Sequence, residues 1–70
     1  MKPGDLVRLV RKIKPYQARQ AGENSELWHM IQPGEVGMLV DIRGQLGMCL
    51  FKGARVMINM EQFEVVNEAR

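Results

Sequence analysis

Gln32-Pro33-Gly34-Glu35-Val36-Gly37-Met38-Leu39-Val40-Asp41-Ile42 is the stretch that decides the fold. Pro-Gly is a turn dipeptide, and behind it Val36, Met38, Val40 and Ile42 alternate with Gly37, Leu39 and Asp41, the two-residue period of a strand. Gly37 inside that run marks a bulge, a sharp coil or a close backbone approach, the means by which a short sheet bends. The same punctuation recurs outward from this point. Lys2-Pro3-Gly4-Asp5 opens residues 5–13, where Val7, Leu9 and Ile13 share one face while Leu6 and Val10 share the other with Arg8 and Lys12. Residues 43–46 make a turn in which Gly44 is free to take positive φ. Residues 47–51 read as a third strand, Lys52-Gly53 as a tight hairpin turn and residues 54–59 as a fourth strand. Residues 60–62 read as one 3-10 turn, residues 63–66 as a short closing strand and residues 67–70 as a fraying tail.

The segment between the first two strands is irregular. Pro15 removes a ladder donor and biases Lys14 away from helical angles. Residues 16–21 fit one helical turn ended by Gly22, residues 23–25 an exposed tip, and residues 27–31 a short strand or bridge back to the body. The expectation is an all-β domain spanning residues 1–70: a small five-stranded barrel with a long first loop and a 3-10 turn before the last strand. Connections this long in small domains are commonly functional or mobile.

Composition narrows the class. Seventy residues make one thin domain with a small core. Six methionines suit an irregular interior, and Met38, Met48, Met57 and Met60 fall in or beside the strands, which favours interior positions for them. The single cysteine, Cys49, excludes an intrachain disulfide and reads as a small buried hydrophobe. No stretch approaches the roughly 20 apolar residues of a membrane span, and Arg8, Arg11 and Lys12 interrupt the first apolar run, so no membrane role and a cytoplasmic location are expected. The net charge of +2 is too small to imply nucleic acid by itself, but it is polarised. Lys2, Arg8, Arg11, Lys12, Lys14 and Arg19 face one acid, Asp5, before residue 20; Glu23, Glu26, Glu35 and Asp41 follow with no base among them.

Pro3-Gly4-Asp5-Leu6-Val7-Arg8-Leu9, Gly34-Glu35-Val36-Gly37-Met38-Leu39-Val40-Asp41-Ile42, Phe51-Lys52-Gly53-Ala54-Arg55-Val56 and Phe63-Glu64-Val65-Val66 together carry a resemblance. In this layout the chain resembles the SH3-like barrel, and looks closest to KOW-type versions such as the C-terminal domain of the transcription factor NusG. The same layout occurs in small accessory subunits of photosynthetic complexes and in small phage-encoded proteins, so a phage-encoded source is among its implications. The segment before Gly34 is longer than the short basic loop of the KOW pattern.

No catalytic residues, metal ligands or cofactor site are expected. The only histidine, His29, lies between Trp28 and Met30, and no serine motif, phosphate-binding glycine loop or metal-spaced Cys/His set is present. A binding module is expected instead, with a protein as partner. Its surface is assigned to the loop of residues 14–30 and the turn at Lys52-Gly53. Tyr16 and Trp28 are the apolar anchors there, while Arg11, Lys14, Arg19 and Lys52 supply charge. Plugging an open end of the barrel is an equal reading of Trp28. An RNA- or single-stranded-DNA-binding barrel is the alternative, since bases stack on rings while cations meet phosphates. Self-association is a third expectation, with Leu6, Val10 and Leu39 as surplus apolar surface. Phe51 and Phe63 are assigned to the core.

Overall fold

In the computed structural model, which describes residues 1–66, five strands form one antiparallel sheet in the order β4-β3-β2-β1-β5. The strands are β1 (Leu6–Leu9), β2 (Val36–Arg43), β3 (Leu46–Phe51), β4 (Ala54–Asn59) and β5 (Phe63–Val65). A short helix, α1 (Pro15–Gln20), and a 3-10 turn, Leu27–Met30, lie between β1 and β2, and a second 3-10 turn, Met60–Gln62, joins β4 to β5. This is the all-β layout read from the sequence, compatible with an SH3-like barrel. The tail expected to fray, residues 67–70, lies outside the described residues.

The two Pro-Gly turns build the β1–β2 pair. Asp5 N–H donates to the Lys2 carbonyl and Glu35 N–H to the Gln32 carbonyl, both at 3.1 Å, with Gly4 and Gly34 both at φ 100°. Proline second and a positive-φ glycine third define type II turns. Each turn then grips the far end of the opposite strand. Gly4 N–H donates to the Leu39 carbonyl and Gly34 N–H to the Leu9 carbonyl, both at 2.7 Å; Leu39 and Leu9 return bonds to Asp5 and Glu35 at 2.9 Å. One local motif, used twice, closes both ends of the same antiparallel ladder.

The facing of β2 differs from the alternation read in sequence. Leu39, expected as surplus surface, is fully buried, whereas Val36, Met38 and Val40 stand on the outside, so the interior position expected for Met38 is also overturned. Gly37 explains the inversion. It begins the inward row opposite Val7, and the Phe51 ring occupies the space its side chain would fill. A glycine gives no hydrophobic signal, so apolar counting locks onto the wrong face. A register shift between Leu39 and Asp41 then expels Val40 as a bulge and brings Ile42 back inward opposite Gly47.

Phe51, Leu9, Ile31, Leu39, Ile58, Val7, Val56 and Cys49 are the largest fully buried side chains, and Phe51 and Phe63 lie in the core as expected. Each large aliphatic or aromatic side chain contributes about 1.5–3 kcal/mol by leaving water. β4 and β5 stand at opposite ends of the strand order, yet Ile58 and Phe63 belong to one core cluster. The bent sheet therefore closes by packing, with Gly47 of β3 leaving room for the Phe63 ring.

The long first segment folds back onto this body. α1 packs against β4, and Gly22 at φ 76° follows it. Residues 27–31, expected as a strand or bridge, instead form the 3-10 turn Leu27–Met30, and Ile31 enters the core. The segment lies against β4 as a local turn, its end closed by the Ile31 N–H donating to the Trp28 carbonyl at 3.2 Å rather than by ladder pairing. The tip is exposed as expected at Asn24 and Ser25, whereas Glu23 is half-buried and reaches back, its Oε1 accepting the Arg55 N–H at 2.8 Å, while Arg55 Nη2 donates to the Gly22 carbonyl at 3.4 Å. That contact satisfies an edge amide of β4.

Candidate binding cavity

β1 ends at Leu9, and the Val10 and Arg11 amides both donate to the Gln62 carbonyl, at 2.6 and 3.3 Å. This shared acceptor turns the chain outward beside the second 3-10 turn. Between that turn and the first turn of α1 lies a cavity of about 200 Å³, lined by Arg11, Lys12, Lys14, Tyr16, Gln17, Asn59, Glu61 and Gln62.

Two side-chain amides build its base. Gln17 is buried, and its Nε2 donates to Gln62 Oε1 at 2.5 Å while Gln62 Nε2 donates to Gln17 Oε1 at 3.1 Å. Further hydrogen bonds anchor the pair locally. Gln17 Oε1 accepts the Lys14 N–H at 2.9 Å, Gln62 Oε1 accepts the Asn59 N–H at 3.2 Å, and Gln62 Nε2 also donates to the Lys12 carbonyl at 3.4 Å. Among the described residues no buried side-chain polar atom lacks a partner. A reciprocal network of this kind holds its surroundings in one geometry.

Above the amides the rim is cationic. Arg11, Lys12 and Lys14 are all exposed, and none of them forms a salt bridge with an acid among the described residues. Tyr16 is 48% exposed and lies at the same rim. Glu61 is the one carboxylate in the lining.

Of the six residues assigned to the surface from sequence, the structure brings Arg11, Lys14 and Tyr16 together here and leaves three elsewhere. Trp28 lies outside the lining, partly buried against the core and stacked on His29 with ring centroids 3.8 Å apart. Arg19 is exposed on the last turn of α1, outside the lining. Lys52 sits in the β3–β4 hairpin turn and pairs with Glu35 at 3.2 Å. Gln17, Asn59, Glu61 and Gln62 were not singled out from sequence. Asn59 and Gln62 carried a signal, the three-residue spacing of a capping box at the predicted 3-10 turn.

Compared with known proteins, the chain matches no family model, no curated protein and no solved structure. Among the described residues no helix is long and apolar enough to cross a membrane, and no three metal-ligating side chains cluster.

Proposed function

We propose that this chain is a non-enzymatic, KOW-like SH3-type module that works as an adaptor in a larger cytoplasmic assembly, and that its partner is a protein offering an acidic segment to the cavity. The observation that carries this reading is the convergence of Arg11, Lys12, Lys14 and the exposed Tyr16 ring over a rigid amide base. Guanidinium and ammonium groups make the stronger, charge-assisted class of hydrogen bond with carboxylates, and a tyrosine ring covers apolar stem at little entropic cost.

An RNA- or single-stranded-DNA-binding role draws on the same cations, and two features favour protein over it. Glu61 sits in the lining, which suits a polypeptide that brings N–H donors as well as carboxylates and opposes a uniformly anionic backbone. Trp28 packs against the core, leaving Tyr16 as the sole ring in the lining on which a base could stack.

The test is an amide-resolved NMR titration with an oligoglutamate peptide and, separately, a mixed-sequence oligonucleotide, each at low salt. The peptide is expected to shift residues 11–17 and 59–62, and Tyr16→Ala with Lys14→Ala to abolish the shifts. Silence toward the peptide with a salt-sensitive response to the oligonucleotide transfers the cavity to nucleic acid. Silence toward both ends the proposal.

A further inference from the structure

The outer face of the sheet carries a second surface that shares no residue with the cavity. Leu6, Met38 and Leu50 stand in register across β1, β2 and β3, and Val36 and Val40 flank Met38 along β2. All five are between 37% and 48% exposed. Strand geometry makes them one contiguous patch, because their neighbours Val7, Leu39, Cys49 and Phe51 point the other way into the core. The bulge contributes directly: expelling Val40 from the ladder adds it to this row rather than to the interior.

The patch is ringed by charge that is already spent. Lys2–Asp5 (3.3 Å) precedes Leu6, Arg8–Glu64 (2.8 Å) adjoins Val36, Lys52–Glu35 (3.2 Å) lies between Val36 and Leu50, and Arg43–Asp41 (3.1 Å) follows Val40. Four of the rim cations each have an anion in ion-pair contact within the same molecule, and the fifth, Arg55 opposite Leu50 on β4, turns its guanidinium to the Gly22 carbonyl at 3.4 Å, beside the Glu23 carboxylate. An uncharged centre inside a balanced polar rim is the anatomy of a protein interface. With each rim cation paired or, for Arg55, turned aside toward Gly22 and Glu23, a strongly charged partner finds no net charge here to complement.

We infer that the face is covered by a second copy of the chain. Another copy brings the same neutral centre and the same balanced rim, so a two-fold pairing sets Leu and Met against Leu and Met with no net charge opposed to like charge. Five half-exposed aliphatic side chains offer a few hundred Å², about half of the ~800 Å² that each partner contributes to a stable pair. The expected complex is therefore weak, with a dissociation constant on the order of 0.1–1 mM.

Sedimentation velocity on the full chain from about 20 µM to 2 mM, spanning that range, tests it. The mean mass of the natural sequence is expected to rise toward that of a dimer, and Met38→Glu to hold it at the monomer value at every concentration. Tyr16→Ala, which alters only the cavity, is expected to associate like the natural sequence, which keeps this inference separate from the proposed function. Met38→Glu changes an exposed side chain, and an unaltered circular dichroism spectrum confirms that the variant remains folded. A natural chain that stays monomeric at the highest concentration, or a Met38→Glu variant that still associates, overturns the second copy as occupant.

Discussion

Gln17 and Gln62, 45 residues apart in sequence, exchange hydrogen bonds between their side-chain amides in both directions and thereby fix the long first loop to the 3-10 turn before the last strand. The pair is both the base of the cavity and the lock on the segment that supplies Lys14 and Tyr16. Whatever the cavity holds, its shape depends on this exchange.

Gln62→Ala leaves the buried Gln17 amide without its main partner, which costs about 1–3 kcal/mol. For a domain of this size each kcal/mol lowers Tm by roughly 4–8 °C. Thermal denaturation gives the total, and hydrogen exchange is expected to show faster exchange in residues 12–20 than in β2 and β3. Gln17→Leu combined with Gln62→Leu is expected to cost less than Gln62→Ala, because no buried side-chain amide is then stranded and the Lys14 and Asn59 amides that lose their acceptors belong to exposed residues within reach of water.

Gly37→Ala places a Cβ 2.4 Å from the Leu50 carbonyl oxygen and 2.6 Å from the Phe51 ring. Neither can retreat without moving the β2–β3 ladder or the largest core side chain. Overpacking of this kind costs about 1–3 kcal/mol, and chemical denaturation is expected to show a lower midpoint with an unchanged slope.

Lys52 holds φ 51° beside Gly53 at φ 84°, the two positive values of a type I′ hairpin turn in which asparagine is favoured first. Lys52→Asn relieves a strained lysine and removes only an exposed ion pair with Glu35, so it is expected to raise stability by about 0.5–1 kcal/mol. Equilibrium unfolding of the two forms checks the sign.

Cys49 is fully buried, and desolvation pushes its thiol pKa up to about 12. A group raised so far carries almost no thiolate at neutral pH. A disulfide reagent at pH 8 is expected to leave native protein unmodified over minutes and to react fully once denaturant is added.

Glu23 is held below its ordinary value of 4.5, first by the Ser25 hydroxyl and next by the Arg55 amide. A carboxylate depressed in the folded state adds stability at pH values above 4.5, and that contribution disappears as pH falls through the lowered native value. Glu23→Gln is therefore expected to reduce Tm near neutrality and to flatten the acid limb of the Tm–pH curve. An acid limb identical in the two forms would remove Glu23 from the account of loop docking.

Local chemistry alone specified the framework. Two Pro-Gly turns, the Lys52-Gly53 hairpin and the 3-10 spacing at residues 60–62 each impose backbone angles that no distant contact is needed to explain, so the strands and their order of appearance were legible in the residues. Arg11, Lys14 and Tyr16 were legible as site candidates for the same reason: they are close in sequence and polar or aromatic in a loop. Tertiary packing decided the rest. Which side of β2 faces inward depended on the Phe51 ring lying over Gly37, a contact invisible to periodicity because the inward residue has no side chain. The cavity needed Gln62 to meet Gln17, and the apolar outer row needed the bulge at Val40; each is a matter of register between segments far apart in the chain, which short-range preferences do not encode.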